Sequence, residues 1–75
     1  MTKVLVQNHL EVPLELAIEP WADVEVVPPD EVVKFECSGD NAEIEFAVTG
    51  NASAFVWVLS DKVTMYVKDR IVEYR

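Results

Sequence analysis

Leu14-Glu15-Leu16-Ala17-Ile18-Glu19 puts Leu14, Leu16 and Ile18 on one side of an extended chain and Glu15, Ala17 and Glu19 on the other. Successive side chains of a strand point to opposite faces, so this segment makes one apolar face and one acidic face. The same period of two returns in Asp23-Val24-Glu25-Val26, Lys34-Phe35-Glu36-Cys37, Glu43-Ile44-Glu45-Phe46 and Val63-Thr64-Met65-Tyr66-Val67-Lys68. Apolar residues do not recur at spacings of three and four, and valine is abundant, which favours strands over helices. The chain therefore reads as all-β, with half-buried strands.

Turn chemistry sets the boundaries. Pro20 stops the second strand by removing an N–H. Pro28-Pro29-Asp30-Glu31, Ser38-Gly39-Asp40-Asn41, Gly50-Asn51, Ser60-Asp61 and Asp69-Arg70 punctuate the rest. The spacing predicts eight short strands: 3–8, 14–19, 23–27, 32–37, 43–49, 54–59, 62–68 and 71–74. Strands this short and regular point to a small antiparallel two-sheet sandwich over residues 1–75, of immunoglobulin-like or cupredoxin-like strand order. A small closed β-barrel is the alternative architecture. Alternation predicts a core of Val4, Val6, Leu14, Leu16, Ile18, Val24, Val26, Phe35, Ile44, Phe46, Val48, Trp57, Met65 and Val67.

Seventy-five residues allow one domain whose stability is close to balance, and chains of this size often recruit a disulfide, a metal or a second subunit. Cys37 is the only cysteine, which excludes an internal disulfide. The chain carries 14 acidic and 6 basic residues, a net charge of -8. Eleven of the acids lie between Leu10 and Glu45, with Lys34 the one base among them. Such a field repels phosphate backbones and anionic lipid heads, which argues against nucleic acid and membrane as partners. No apolar run has the length of a signal peptide or a membrane span, and an unpaired cysteine suits a reducing compartment, so a cytoplasmic location is expected.

Chemistry-bearing residues are few. His9 stands alone beside Asn8 in an expected turn. Cys37 has acidic neighbours, which oppose a reactive thiolate, and it falls on the apolar side of its strand as a small core hydrophobe. One histidine and one cysteine cannot supply a copper or zinc site. The two glycines, Gly39 and Gly50, build no phosphate-binding loop. Glu15, Glu19, Glu25, Glu43 and Glu45 are expected on outward faces, without the burial that acid–base catalysis requires. The expectation is a protein that is not an enzyme and holds no cofactor.

Two features invite binding. Ala54-Phe55-Val56-Trp57-Val58-Leu59 is apolar on both faces, so one face, Phe55 with Leu59 or else Val56 with Val58, is a candidate interface for self-association or a protein partner. Trp21, at a corner after Pro20, is a candidate stacking residue for a small ligand or carbohydrate; its other reading is a cap on the end of the sandwich. A weaker alternative is a calcium-dependent module on Asp30, Glu31 and Asp40, whose carboxylates fall in loops.

The stretch from Asn8 to Val33 resembles small uncharacterised bacterial β-sandwich proteins. The residues that carry this are Asn8, Pro13-Leu14, Leu16, Glu19-Pro20-Trp21 and Pro28-Pro29-Asp30-Glu31. The resemblance implies a sandwich and assigns no functional residue. Taken together, these observations lead to a non-catalytic binding or assembly domain that acts through protein–protein contacts.

Overall fold

Turns fall where glycine, proline and the short polar residues place them. In a computed structural model describing residues 1–75, the strands are β1 (Thr2–Gln7), β2 (Leu14–Glu19), β3 (Asp23–Val27), β4 (Val32–Cys37), β5 (Glu43–Val48), β6 (Ser53–Leu59), β7 (Val63–Val67) and β8 (Arg70–Tyr74). The Pro28–Glu31 turn is closed by the Glu31 N–H donating to the Pro28 carbonyl at 3.2 Å. Asp30 there takes φ 65°, the sign a type II turn requires at its third position, behind a proline at its second.

Two four-stranded sheets result, one ordered β1-β4-β7-β8 and the other β3-β2-β6-β5. The first is antiparallel throughout. The second pairs β2 with β6 in parallel, which departs from the wholly antiparallel expectation. A parallel neighbour needs a crossover, and here the chain passes through the first sheet along β4, returns as β5 and turns back as β6. Neither sheet closes on itself, so the architecture is a sandwich and not a barrel.

Leu14, Leu16, Ile18, Phe35 and Met65 fill the space between the sheets, as alternation requires. Val27, Val33, Cys37, Ala54, Val56, Val58, Val63 and Tyr74 join them. Val4, Val6, Ile44 and Val67 are half-buried at the margin of this core.

Three expectations are overturned. Val24 and Val26 do not enter the core: they are 52% and 55% exposed. Register explains this, because Leu14 and Leu16 stand opposite Val27 and Glu25, so it is Asp23, Glu25 and Val27 that turn inward. Trp57 is 40% exposed, since its strand buries the alternate set Ala54, Val56 and Val58. Phe46 and Val48 face the interior side, opposite Val56 and Ala54, yet remain 48% and 73% exposed. Strand β5 is the edge of its sheet, and a groove parts it from β1 of the first sheet, which leaves Phe46 and Val48 uncovered.

The two long sides of the sandwich therefore differ. Along β3 and β8 the sheets are stitched together. The Tyr74 hydroxyl donates to Asp23 at 2.5 Å, and Arg70 donates to both carboxylate oxygens of Glu25. Trp21 covers the end of this seam, its ring 4.9 Å from that of Tyr74 and its indole N–H donating to the Arg75 carbonyl. Along β1 and β5 no such stitching exists. A groove of ≈ 320 Å³ separates Val4 and Val6 from Ile44 and Phe46.

Asn8 is the one buried polar side chain. Its Nδ2 donates to the Val12 and Val27 carbonyls at 3.0 and 2.9 Å, and its Oδ1 accepts from the Leu10 N–H at 2.8 Å. Its backbone N–H donates to the Glu31 carbonyl and its carbonyl accepts from the Asp30 N–H. One residue thus ties the end of β1 to the loop that follows it and to the β3–β4 turn. Asn8→Asp keeps the acceptor and loses both donations. It is expected to remove about 2–4 kcal/mol of unfolding free energy at pH 7, with partial recovery near pH 4 as protonation restores one donor; urea denaturation at the two pH values measures this.

The orientation of β3 makes a second prediction. Val24→Thr and Val26→Thr are expected to stay within about 0.5 kcal/mol of the parent, whereas Val27→Ala loses about 2 kcal/mol through lost burial and a cavity. Large losses at Val24 and Val26 with little at Val27 would show that the strand is turned the other way.

Candidate functional site

Outward residues of the second sheet form a face whose composition follows from register. Glu19 and Glu45 stand directly opposite Trp57, one on each flanking strand. In the next row Val24, Ala17, Phe55 and Ala47 lie side by side. Beyond that row Glu15 lies between Val26 and Ser53, and at the other end Leu59 faces Glu43. The face is an aromatic and aliphatic patch rimmed by Glu15, Glu19, Glu43 and Glu45.

Trp57 stands as a ridge on it. A shallow groove of ≈ 330 Å³ runs on its Glu43 and Glu45 side, and another of ≈ 470 Å³ on its Glu15, Glu19 and Phe55 side. Both are open and lined mainly by carboxylates and apolar carbon, with the Thr49 and Ser53 hydroxyls at one end of the second. Such a surface can hold a cation against the indole face, where the ring quadrupole and two carboxylates act in the same sense.

Charge is divided by sheet. The second sheet's strands carry Glu15, Glu19, Asp23, Glu25, Glu43 and Glu45 and no base. Lys3, Lys34, Lys62, Lys68, Arg70 and Arg75 all lie in the strands of the first sheet or directly beside them. Those bases are engaged within the chain: Lys3 and Lys34 with Glu36, Lys62 and Arg75 with Glu73, Lys68 with Glu31, and Arg70 with Glu25. Lys34 also sits 4.5 Å above the Tyr66 ring. The Tyr66 hydroxyl, with Lys34 and Lys3, holds the Glu36 carboxyl below its ordinary range. Glu15, Glu19, Glu43 and Glu45 have no cation within 4.0 Å. One outer face is self-neutralised and the other is left acidic.

The structure separates the residues singled out from the sequence. Of the candidate interface, Phe55 and Leu59 lie on the outer face, but Val56 and Val58 are buried against the first sheet and touch no partner. Trp57, assigned to the core by alternation, is instead the centre of that face. Trp21 is half-buried, one ring face against Tyr74 and its N–H committed, and none of the larger grooves includes it. It occupies the capping position.

Asp30 and Glu31 precede β4 and Asp40 follows it, so a six-residue strand holds them about 20 Å apart. Their carboxylates do not converge, and no group of three or more His, Cys, Asp or Glu side chains is placed to hold a metal ion. His9 is exposed. Cys37 is fully buried, and burial pushes its thiol pKa up.

No protein-family model, curated protein or solved structure matches the chain.

The β3–β8 seam, on the far margin of the same sheet, carries a titratable signature. Burial, and then the hydrogen bond to Asp23, push the Tyr74 hydroxyl well above its ordinary value of 10.0. A folded pKa above the unfolded one means the neutral phenol stabilises the fold in full below about pH 10, and that contribution is lost as pH rises further. Unfolding free energy is expected to fall above pH 10 by about 1.4 kcal/mol per pH unit for this proton. Denaturation of Tyr74→Phe between pH 8 and 11.5 should show a shallower decline, retaining the shares of Cys37, which burial pushes upward, and of Tyr66, which Glu36 pushes upward.

Proposed function

We propose that this protein is a non-catalytic binding domain whose partner is a basic protein segment docked on the outer face of the second sheet. The observation that carries this reading is Trp57, exposed between Glu19 and Glu45 on a face without a single cation. Exposed tryptophan and contiguous apolar surface are the features of contact sites, and aromatic side chains carry a large share of interface energy. The surrounding carboxylates select the sign of the partner's charge and accelerate its approach.

Charge also argues against self-association through this face, the form of assembly suggested by residues 54–59. Two copies laid face to face would oppose Glu15, Glu19, Glu43 and Glu45 with their own counterparts, and like charges desolvated together repel by several kcal/mol. The cations that could relieve this are held in ion pairs on the other side of the molecule. A polyphosphate or an anionic membrane would meet the same repulsion.

The test uses a fluorescently labelled decalysine peptide and anisotropy. Binding is expected to weaken steeply from 20 to 200 mM salt. Trp57→Ala and Glu19→Gln/Glu45→Gln are each expected to raise Kd at least about tenfold, a loss of about 1.4 kcal/mol. Trp21→Phe should leave it unchanged while preserving a Trp57 emission signal. Unaltered affinity in Trp57→Ala and in the double glutamine variant would sink the assignment of this face.

A further inference from the structure

The second sheet ends in a strand that is ready to be paired. The Thr49 N–H donates to the Ser53 carbonyl at 3.0 Å, so the odd-numbered residues at this end of the hairpin direct their backbone groups toward β6. In an antiparallel pair these groups alternate in direction. Ile44, Phe46 and Val48 therefore point their N–H and C=O groups outward, at the open edge. No backbone hydrogen bond outside the sheets reaches them. The side chains of these same residues face the interior side, where Phe46 and Val48 remain largely uncovered.

The edge also lacks the usual protection. Natural sheets blunt an edge with lysine, proline or an inward charge. The β3 edge has inward Asp23 and Glu25, locked to Tyr74 and Arg70. Strand β5, Glu43-Ile44-Glu45-Phe46-Ala47-Val48, has none of these, and its acids point outward. Beside it lie the ≈ 320 Å³ groove bounded by Val4, Val6, Ile44 and Phe46, and a second of ≈ 230 Å³ that continues past Phe46 and Val48 to Leu14 and His9.

We infer that β5 accepts an extended segment of the basic partner as a fifth strand of the second sheet, with apolar and cationic residues alternating along that segment. This rests on the basic-partner reading above and specifies the partner's sequence pattern. Register dictates the pattern. On an added strand, residues opposite Ile44, Phe46 and Val48 enter the groove and must be apolar. Residues opposite Glu43 and Glu45 emerge on the acidic face, with β5 between them and Trp57, and there lysine or arginine meets unpaired carboxylates. Backbone bonds give affinity and the alternating side chains give selectivity, as in other strand-addition complexes. A second copy of this chain fits the edge less well, because its own Glu43 and Glu45 would bring four glutamates to one rim.

The experiment compares two capped heptapeptides of identical composition, one alternating valine and lysine and the other with valines and lysines in separate blocks. The alternating peptide is expected to bind about tenfold more tightly and to slow amide exchange at Ile44, Phe46 and Val48, leaving Glu45 and Ala47 as they were. N-methylation of its alternate amides should abolish binding on the set facing β5 and spare it on the other set. Val48→Pro, which removes an N–H that the sheet does not use, should weaken it likewise without lowering Tm by more than a few degrees.

Equal binding of both peptides, abolished by Trp57→Ala and without new protection at Ile44, Phe46 and Val48, would overturn strand addition and leave the face reading intact. Failure of both peptides and of decalysine would overturn both. Protection of those three amides that rises with protein concentration and without peptide would assign the edge to a second copy and refute the proposal.

Discussion

The polar seam between β3 and β8 determines which surfaces this molecule presents. Tyr74 binding Asp23, and Arg70 binding Glu25, fix two acidic residues on the inner side of an edge strand. Once those acids turn inward, Val24 and Val26 must turn outward, since a strand has only two faces. The same contacts hold the sheets together along one side. Phe35, Leu16, Ile18 and Met65 then pack over the middle of the sandwich, and the opposite side, between β1 and β5, stays parted. An apolar seam would have needed less polar satisfaction, but it would not have reversed β3. The apolar area on the acidic face is in this sense a consequence of how the far margin is closed.

Strand positions were legible because they depend on local chemistry. Pro20, Pro28-Pro29, Ser38-Gly39 and Gly50-Asn51 interrupt pairing whatever surrounds them, and the boundaries of β2, β3 and β4 follow residue for residue. Facing was less legible, because it depends on neighbours distant in sequence. Alternation alone sends Asp23 and Glu25 to solvent; only Tyr74 and Arg70, some fifty residues away, make the reverse arrangement favourable. In β5 the parity of Ile44, Phe46 and Val48 was right, but parity carries no information on whether anything lies opposite. In β6 the two faces differ in size and not in polarity. The central position opposite Leu16, Ile18 and Phe35 takes the smaller set, Ala54, Val56 and Val58, because a close-packed interior has no room there for Phe55 and Trp57. That size asymmetry was the available signal for the site. Asn8 gave none: a buried asparagine and a turn asparagine have the same local sequence.

Division of charge between the sheets has thermodynamic and kinetic consequences. On the first sheet, Glu36 and Glu73 each lie between two cations, which neutralises that face and leaves Leu5, Val32 and Ile71 exposed on it. On the second, Glu43 and Glu45 stand about 7 Å apart along β5 and Glu19 about 10 Å from Glu45 across Trp57, close to the Debye length at physiological salt, and Glu15 lies beyond it. That repulsion opposes folding slightly, and the cationic partner proposed above would relieve it. In the proposed complex, part of the binding free energy would thus be the removal of a strain the free domain already contains, and salt would weaken the attraction and the strain together.

Size links the face to the edge. Four strands spaced about 4.8 Å and six residues long present roughly 400 Å² on one side of a sheet. A stable specific complex buries about 800 Å² on each partner. A partner confined to the outer face of the second sheet therefore gains only half of a standard interface, most of it around Trp57. An added strand at β5 supplies the remainder, because its inward side chains cover Phe46 and Val48 while its backbone satisfies groups that otherwise depend on water. Glu43 and Glu45 belong to both surfaces, being outward on the face and nearest the edge. A segment that pairs with β5 and then folds across the sheet toward Trp57 meets the same carboxylates twice. On the proposed reading, the face and the edge would be two parts of one interface, and the parted side of the sandwich would give it depth.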